Sequence, residues 1–236
     1  MLSLPLSFRT ARLLTGGGFF FLWGLGVLDA AWAGPPVPRM DFVPPPAGTY
    51  KLERIQRATD GAVLDAAGKR RRLAEFTQGK VTLLAFMYSS CADPTGCPYA
   101  FTVMHQVKNE LEKLPQTRGR VRFVSLSFDP ERDTPQVLAL YGRDHGGTEQ
   151  HVAWDFLTTR SRRELLPILD GFGQDVGVDV DRATGKAIGT YSHVLKVFLL
   201  DGRRNVREIY TTDYLLPAMV LNDIKTLLME AGVPLK

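Results

Sequence analysis

Cysteine is scarce in this sequence. The 236 residues contain two cysteines, Cys91 and Cys97, and both fall in one stretch, residues 89–109 (SSCADPTGCPYAFTVMHQVKN). A domain of this size buries enough apolar surface to fold without a covalent crosslink. Any thiol chemistry is therefore confined to this one stretch.

The excess of positive over negative charge is also small. The formal net charge is +4, and the densest basic cluster, residues 69–72 (KRRR), lies in a turn-rich part of the sequence. We predict a solvated loop there, because nucleic-acid binding favours basic residues on a defined element with aromatic residues between them. We expect no nucleic-acid partner. The sequence also has no internal repeat and no sign of a second domain.

The apolar run near the N-terminus is short for a membrane span. Residues 13–28 are uncharged, which gives 16 residues, where a bilayer-spanning helix needs about 20. Two arginines precede the run, and a small-x-small site at residues 31–33 follows it. We predict that residues 1–33 are a signal peptide, with a membrane anchor as the alternative. In either case the domain is exported to the periplasm or the outer face of a bacterial inner membrane.

The region after this leader is rich in proline. Residues 34–48 (GPPVPRMDFVPPPAG) contain six prolines and are predicted to form an extended linker. The folded domain is predicted to cover residues 49–236. It begins with a predicted N-terminal β-hairpin, in which residues 50–58 alternate imperfectly, an Asp-Gly turn follows and residues 62–64 return.

Two strand-to-helix units follow the hairpin. Residues 81–88 (VTLLAFMY) are typical of a strand covered on both faces, and a helix is predicted to begin near Cys97, where Pro98 suits the first helical position. Residues 120–129 (RVRFVSLSFD) repeat this plan. Parallel strands place their strand-to-helix loops on one edge of a sheet, so we expect Asp129 on the cysteine side.

Shorter strands and helices complete the chain. Strands are predicted at residues 154–158, 194–200 and 206–211, a loop or small hairpin at 176–188, and helices after Ser161 and over 219–229. The order of elements predicts an α/β fold of thioredoxin-like plan, with a central mixed sheet flanked by helices and the N-terminal β-hairpin.

The position of Cys97 suggests reactive chemistry. A thiol at a helix N-terminus meets unpaired backbone N–H groups and the positive end of the helix dipole, which favour the thiolate. We therefore interpret Cys97 as a soft metal ligand or a nucleophile. A structural disulfide between Cys91 and Cys97 is the alternative, which the chain-entropy model values at roughly 2–3 kcal/mol.

Four histidines compete as partners of the thiols. His105 lies eight residues beyond Cys97, about 12 Å along the helix axis, and is expected to face solvent. His145 and His151 fall in a Gly-rich connection and are interpreted as loop histidines. His193 stands immediately before an apolar strand and can be held rigidly near a sheet edge, although a structural role fits its position equally well.

Several of these features together resemble the Sco/SenC family of copper chaperones. They are the cysteine pair followed by a proline, the segment SFDPERDTP (residues 127–135), the WDFLT strand (154–158) and the histidine that opens a strand ending in Leu-Leu-Asp-Gly. They occur in the family's order and span roughly residues 49–229. The resemblance implies a thioredoxin-like fold and a periplasmic or membrane-associated protein.

The resemblance also implies a function. Members of the family bind one copper ion through two cysteines and a histidine and serve the assembly of the copper centre of cytochrome c oxidase. Carried onto this chain, the copper ligands are Cys91, Cys97 and His193, and the partner is the copper-site subunit of the oxidase or another cuproprotein.

The donor types agree with the implied metal. Two thiolates and an imidazole suit Cu(I), whereas the carboxylates of Asp129 and Asp133, which match the family's acidic segment, are hard donors and are not expected as ligands. Binding of Cu(II) is left open. Oxidation of the two cysteines to a disulfide would expel the metal, so loading is coupled to the thiol redox state.

The cysteine spacing departs from the family pattern and keeps other functions open. Five residues, 92–96, separate the cysteines where the family usually has three. The alternative is a thiol–disulfide oxidoreductase that acts on cuproprotein cysteines without carrying metal, with Cys91 and Cys97 as its redox pair. That class has a C-x-x-C spacing and a proline that this chain lacks before Val194. A non-catalytic interaction module is the third possibility, and we favour a metallochaperone over an enzyme.

Overall fold

The computed structural model describes residues 42–143 and 152–235. In those ranges the strands are β1 (Gln56–Arg57), β2 (Ala62–Leu64), β3 (Arg70–Arg72), β4 (Val81–Met87), β5 (Val121–Ser127), β6 (Ala153–Leu157), β7 (Val176–Val180), β8 (Ala187–His193), β9 (Val197–Leu200) and β10 (Asn205–Tyr210). The helices are α1 (Leu73–Thr77), α2 (Cys97–Glu112), α3 (Pro135–Tyr141), α4 (Arg162–Phe172) and α5 (Pro217–Glu230). This alternation defines an α/β domain.

One mixed sheet organises the domain. Its strand order is β1-β10-β9-β4-β5-β6. β4, β5 and β6 are parallel, whereas β9 runs antiparallel to β4 and β10 antiparallel to β9. Every residue of β4 is buried, and because successive side chains of a strand point to opposite faces, both faces of the sheet are covered there. The predicted mixed sheet flanked by helices is confirmed.

Aromatic contacts hold the helices on the sheet. Phe172 of α4 packs edge-to-face on Phe86 and Phe198, with ring centroids 5.5 and 5.1 Å apart. Phe101 of α2 stacks on Trp154 of β6 at 5.1 Å. Such pairs contribute about 0.5–1.5 kcal/mol beyond their area burial. The start of α2, where Cys97 lies, is therefore held on a rigid scaffold.

The N-terminal hairpin is present, but its strands are not the predicted ones. β2 pairs with β3, whereas β1 pairs with β10 at the sheet edge. The Asp60-Gly61 turn connects β1 to β2 without pairing them, and the Asp60 carboxylate accepts hydrogen bonds from the N–H groups of Gly61 and of Ala74 in α1. The turn between β2 and β3 instead follows Asp65, whose carboxylate accepts hydrogen bonds from two backbone N–H groups of that turn.

Three residues of the basic cluster at 69–72, Arg70–Arg72, form a strand, so the predicted loop is wrong there. Its arginines make up β3 and pair with nearby carboxylates. Arg71 lies 2.7 Å from Glu75, and Arg72 lies 2.7 Å from Asp60. The side chains of Arg70 and Arg72 are exposed, as predicted for a solvated cluster, and nearby carboxylates compensate part of its charge.

The end of the predicted linker contacts α5. The side-chain amide of Asn222 donates a hydrogen bond to the carbonyl of Pro45 at 2.9 Å, and the N–H of Gly48 donates to the hydroxyl of Thr226 at 3.0 Å. These bonds direct the chain along α5 before it reaches β1.

Several predictions concern residues outside the described ranges. The leader at residues 1–33, the first part of the linker, His145 and His151 all lie there. Within the described part of the chain, none of the helices combines the length and the apolar character that a membrane crossing needs.

Candidate metal centre

The two cysteines lie in the loop between β4 and α2, here called the cysteine loop (residues 88–97). The N–H of Cys91 donates to the carbonyl of Tyr88 at 3.2 Å, and Cys97 is the first residue of α2, as predicted. Cys97 is 1% exposed, whereas Cys91 is partly exposed. Both are free thiols in this structure, so their disulfide stays a prediction.

Asp93 folds the five residues between the cysteines into a turn. Its carboxylate accepts hydrogen bonds from the N–H and the hydroxyl of Thr95 at 2.9 and 2.8 Å, and its carbonyl accepts one from the N–H of Gly96 at 3.0 Å. This Asx turn shortens the path between the cysteines. The side chains of Cys91 and Cys97 consequently come within hydrogen-bond contact.

The thiol pair holds one negative charge, and Cys91 carries it. The hydrogen bond from Cys97 lowers the pKa of Cys91 to about 5, and backbone N–H groups of Cys97 and Asp93 and the Tyr88 hydroxyl add to this against the effect of burial. The same hydrogen bond, together with burial, raises the pKa of Cys97. The pKa of Cys97 is therefore not lowered as its position at the helix start predicts, because the bond to Cys91 and burial outweigh the backbone N–H groups that act on its sulfur.

Tyr88 connects the cysteine loop to β8. Burial and the charge of Cys91 raise the pKa of Tyr88 to about 12, so its hydroxyl stays protonated and can donate to the thiolate. Its ring lies 5.2 Å from that of Tyr191 and 6.2 Å from that of His193. Tyr88 was not among the predicted site residues, although its position three residues before Cys91 at the end of a buried strand was a usable signal.

The hydrogen bonds to Cys91 predict that removing different donors raises its pKa by different amounts. Cys97→Ala is expected to raise the pKa of Cys91 more than Tyr88→Phe does, because the bond from the Cys97 side chain has the larger effect. The measurement is the pH dependence of iodoacetamide alkylation at Cys91, followed by mass spectrometry. Each variant should need a higher pH for half-maximal rate than the wild type. Unchanged midpoints in both variants would contradict this set of donors.

Asp133 connects the cysteine loop to the end of β5. Its side chain is 1% exposed and accepts hydrogen bonds from the N–H of Ser89 at 3.0 Å and from the hydroxyls of Ser89 and Ser127. Protein donors therefore occupy this carboxylate, which agrees with its exclusion as a ligand.

Asp129 lies on the cysteine side of the sheet, as predicted. It is 1% exposed, accepts a hydrogen bond from the hydroxyl of Tyr191 at 2.9 Å and pairs with Arg132. Since the ring of Tyr191 also contacts Tyr88, Asp129 fixes the strand that carries His193 beside the cysteine loop.

His193 is positioned by the β7–β8 hairpin and not by the central sheet. The prediction that it opens the strand at residues 194–200 is wrong, because β8 ends at His193 and β9 begins at Val197. β7 and β8 form a separate antiparallel pair. The imidazole packs against Phe128 with ring centroids 4.9 Å apart.

The two ring nitrogens of His193 have different surroundings. Nδ1 lies 3.3 Å from the carbonyl oxygen of Tyr191. Nε2 is buried without a hydrogen-bond partner in the described part of the chain. A proton on Nδ1 leaves the lone pair of Nε2 available, which is the usual arrangement of a metal-binding histidine. His193 therefore provides a buried nitrogen donor that no other described residue occupies.

The imidazole lies close to the cysteine loop without completing a cluster. Its ring centroid lies 6.2 Å from that of Tyr88, the first residue of the loop. Across residues 42–143 and 152–235, no three His, Cys, Asp or Glu side chains are grouped closely enough to hold a metal ion. A metal held by both thiols and the imidazole would therefore draw the loop and the hairpin together.

His105 faces solvent only in part, whereas it was predicted to be solvent-facing. It is partly buried, and its ring lies 5.0 Å from that of Trp154 and 6.5 Å from that of Phe101. Its distance from Cys97 along α2 is as expected, so it plays no part in the cysteine site. The missing signal was tertiary, because Trp154 comes from β6.

The fold and the site define a class of protein. A thioredoxin-like α/β domain carries a thiol pair between its buried strand and the following helix, with a histidine nitrogen near the same loop. The SCO1/SenC family model matches residues 58–229 of the chain. The chain belongs to this family, and the predicted family resemblance is confirmed.

A curated relative has recognisable sequence similarity to part of the chain. The SCO1 protein homolog of Bacillus subtilis (strain 168) is 32% identical over 91 residues, which cover 39% of this chain and 44% of that protein. The match therefore spans less than half of the relative's length.

Solved structures share the fold over most of its length. Arabidopsis thaliana ScoI with copper bound is 18% identical, with 73% of this chain and 98% of that chain covered and a TM-score of 0.60. Apo Sco1 of Thermus thermophilus is 27% identical, with 76% and 95% covered and a TM-score of 0.58. BsSco, described as a Sco-family cytochrome c oxidase assembly protein with a disulfide switch, is 22% identical, with 74% and 95% covered and a TM-score of 0.54.

Proposed function

We propose that this protein is a copper metallochaperone for the assembly of the copper centre of cytochrome c oxidase. It binds Cu(I) through Cys91, Cys97 and His193. The observation that carries the proposal is the buried Nε2 of His193, which has no partner among the described residues, on a ring that lies 6.2 Å from that of Tyr88 in the cysteine loop. Family membership supports it, as do the copper bound to Arabidopsis ScoI and the assembly role ascribed to BsSco.

The donor set fits a soft metal. Thiolate and imidazole are the ligands that Cu(I) prefers over carboxylate. Cys91 is already the thiolate of the pair, so loading requires the release of one proton, from Cys97. Because Cys91 is partly exposed, a donor group of a recipient protein can reach the metal from the solvent side.

In this proposal, the redox state of the two cysteines controls copper loading. Both sulfurs are ligands only when they are reduced, and a disulfide between Cys91 and Cys97 removes both at once. The partner is the copper-site subunit of the oxidase or another cuproprotein. We place the domain in the periplasm or on the outer face of the inner membrane, delivered by the predicted leader at residues 1–33.

A thiol–disulfide oxidoreductase is the second candidate. It is favoured by the lowered pKa of Cys91, a partly exposed thiolate that can attack a disulfide, and by the buried Cys97, which can resolve the mixed disulfide. In this case His193 would have no ligand role.

Copper titration of the reduced chain tests the proposal. In the assay, a chromogenic chelator competes for Cu(I) with the wild type or with one of the variants Cys91→Ser and Cys97→Ser. The wild type should take up one Cu(I) per chain, and each serine variant and the oxidised wild type should take up none. His105→Gln is the matched histidine control and should bind as the wild type does. Insulin disulfide reduction without any copper uptake by the wild type would replace the proposal with the oxidoreductase.

A further inference from the structure

A second candidate site lies at the other end of β4 from the cysteine loop. It is a cleft of about 690 Å³, lined by Lys80 and Val81 at the start of β4, by the turn after β9 and by the end of α5. β4 has seven residues, so the cleft lies about 20 Å from the cysteine loop. Its volume is in the range of small-ligand sites.

Basic side chains dominate this cleft. Those that line it are Lys51, Arg54, Lys80, Arg120, Arg203 and Arg207. Arg207 pairs with Asp201 at 3.2 Å and with Glu230 at 2.9 Å, which occupies two of the cleft's three carboxylates. Among the described residues the other five cations have no carboxylate within 4.0 Å. Glu53 is the remaining acidic side chain of the lining.

Lys80 is the most constrained of these cations. It is partly buried in the lining of the cleft, and burial followed by the nearby Arg122 lowers its pKa against the opposing effect of the Asp155 carboxylate. Burial and the neighbouring guanidinium outweigh the attraction of Asp155, so the charge of Lys80 is only partly compensated. An anion in the cleft would stabilise the charged form of Lys80.

We propose that this cleft binds a phosphate group. Guanidinium groups match phosphate oxygens in bidentate geometry, and a lysine adds a point charge, so Arg54, Arg203 and Lys80 together suit a doubly charged anion. The phosphate can come from a soluble compound or from the headgroup of an anionic phospholipid. Residues 51–54 follow the N-terminal segment predicted to direct export, which is why the lipid source is tested alongside the soluble one.

Isothermal titration of the full chain with pyrophosphate tests the soluble source. Lys80→Ser/Arg203→Ser should bind at least about tenfold more weakly than the wild type, because two charge-assisted contacts are lost. The control Arg163→Ser/Arg182→Ser removes the same charge from exposed sites elsewhere and should bind within a factor of about two. A second cleft variant, Lys51→Ser/Arg54→Ser, changes a different segment and should also bind pyrophosphate more weakly. It keeps the test valid if the first variant does not fold.

Vesicle flotation tests the lipid source. Vesicles of phosphatidylglycerol are compared with phosphatidylcholine vesicles, using the same four chains. A difference between the cleft variants and the control on the anionic vesicles alone assigns the headgroup, and a difference with pyrophosphate alone assigns a soluble phosphate. The proposal is overturned if neither probe separates cleft variants from control, or if a polyglutamate peptide binds the cleft more tightly than pyrophosphate.

Discussion

His193→Ala is expected to weaken Cu(I) binding by more than the roughly 10–100-fold that loss of an outer-shell partner typically costs, while the thiol pair keeps its reactivity. The imidazole supplies the nitrogen donor, yet the hydrogen bonds that lower the pKa of Cys91 come from other groups. Copper competition and insulin disulfide reduction should be measured on the same preparation. Metal binding should fall while any disulfide reduction is unchanged.

Two further variants make the result specific to a ligand. His193→Met retains a soft donor and should recover part of the lost copper affinity. His105→Gln changes the histidine that packs on Trp154 and should leave copper affinity unchanged. If His193→Ala binds Cu(I) as tightly as the wild type, the imidazole is not a ligand and the three-donor site is wrong.

Asp133→Ala is expected to lower the free energy of unfolding by about 2–4 kcal/mol, the range for breaking a buried hydrogen-bond network. The substitution leaves the N–H of Ser89 and the hydroxyl of Ser127 without their acceptor. Urea denaturation measures the change. Because Ser89 belongs to the cysteine loop, alkylation of the buried Cys97 in the folded protein should also become faster.

Nearby substitutions separate this effect from a general loss of charge. Glu131→Ala removes an exposed carboxylate from the same segment and should change stability by less than about 0.5 kcal/mol. Asp133→Asn retains one acceptor oxygen and should fall between the two. Equal stability of Asp133→Ala and Glu131→Ala would show that these bonds contribute nothing to folding.

Much of the fold was predictable because its main signals are local. The uninterrupted apolar run of β4 predicts a buried strand, and the proline after Cys97 predicts a helix start, since both depend on residues adjacent in sequence. The capped start of α4 is equally local, with the Ser161 hydroxyl accepting a hydrogen bond from the N–H of Glu164. The N-terminal pairing was not predictable in this way, because β1 pairs with β10, which lies almost 150 residues later in the chain.

The candidate site also has a part that was predictable from local sequence and a part that was not. Cys91 and Cys97 were identified by their positions after a strand and before a helix. Which sulfur is the thiolate depends on contacts from Tyr88, Asp93 and the partner thiol, and the turn of Asp93 that creates these contacts is not evident from the cysteine spacing. The role of Tyr191 in orienting His193 likewise depends on the pairing of two strands outside the central sheet.

The amino-acid sequence by itself determined the order of the elements, the thiol pair at the strand-to-helix junction and the family, because these follow from hydrophobic pattern and motif order. Tertiary structure alone decided that the pKa of Cys91 is lowered, that His193 belongs to the β7–β8 hairpin with a buried Nε2, and that basic side chains from distant segments line a cleft beyond the start of β4. The physical reason is that charge, burial and hydrogen bonding depend on neighbours in space, which chain folding brings together from distant positions.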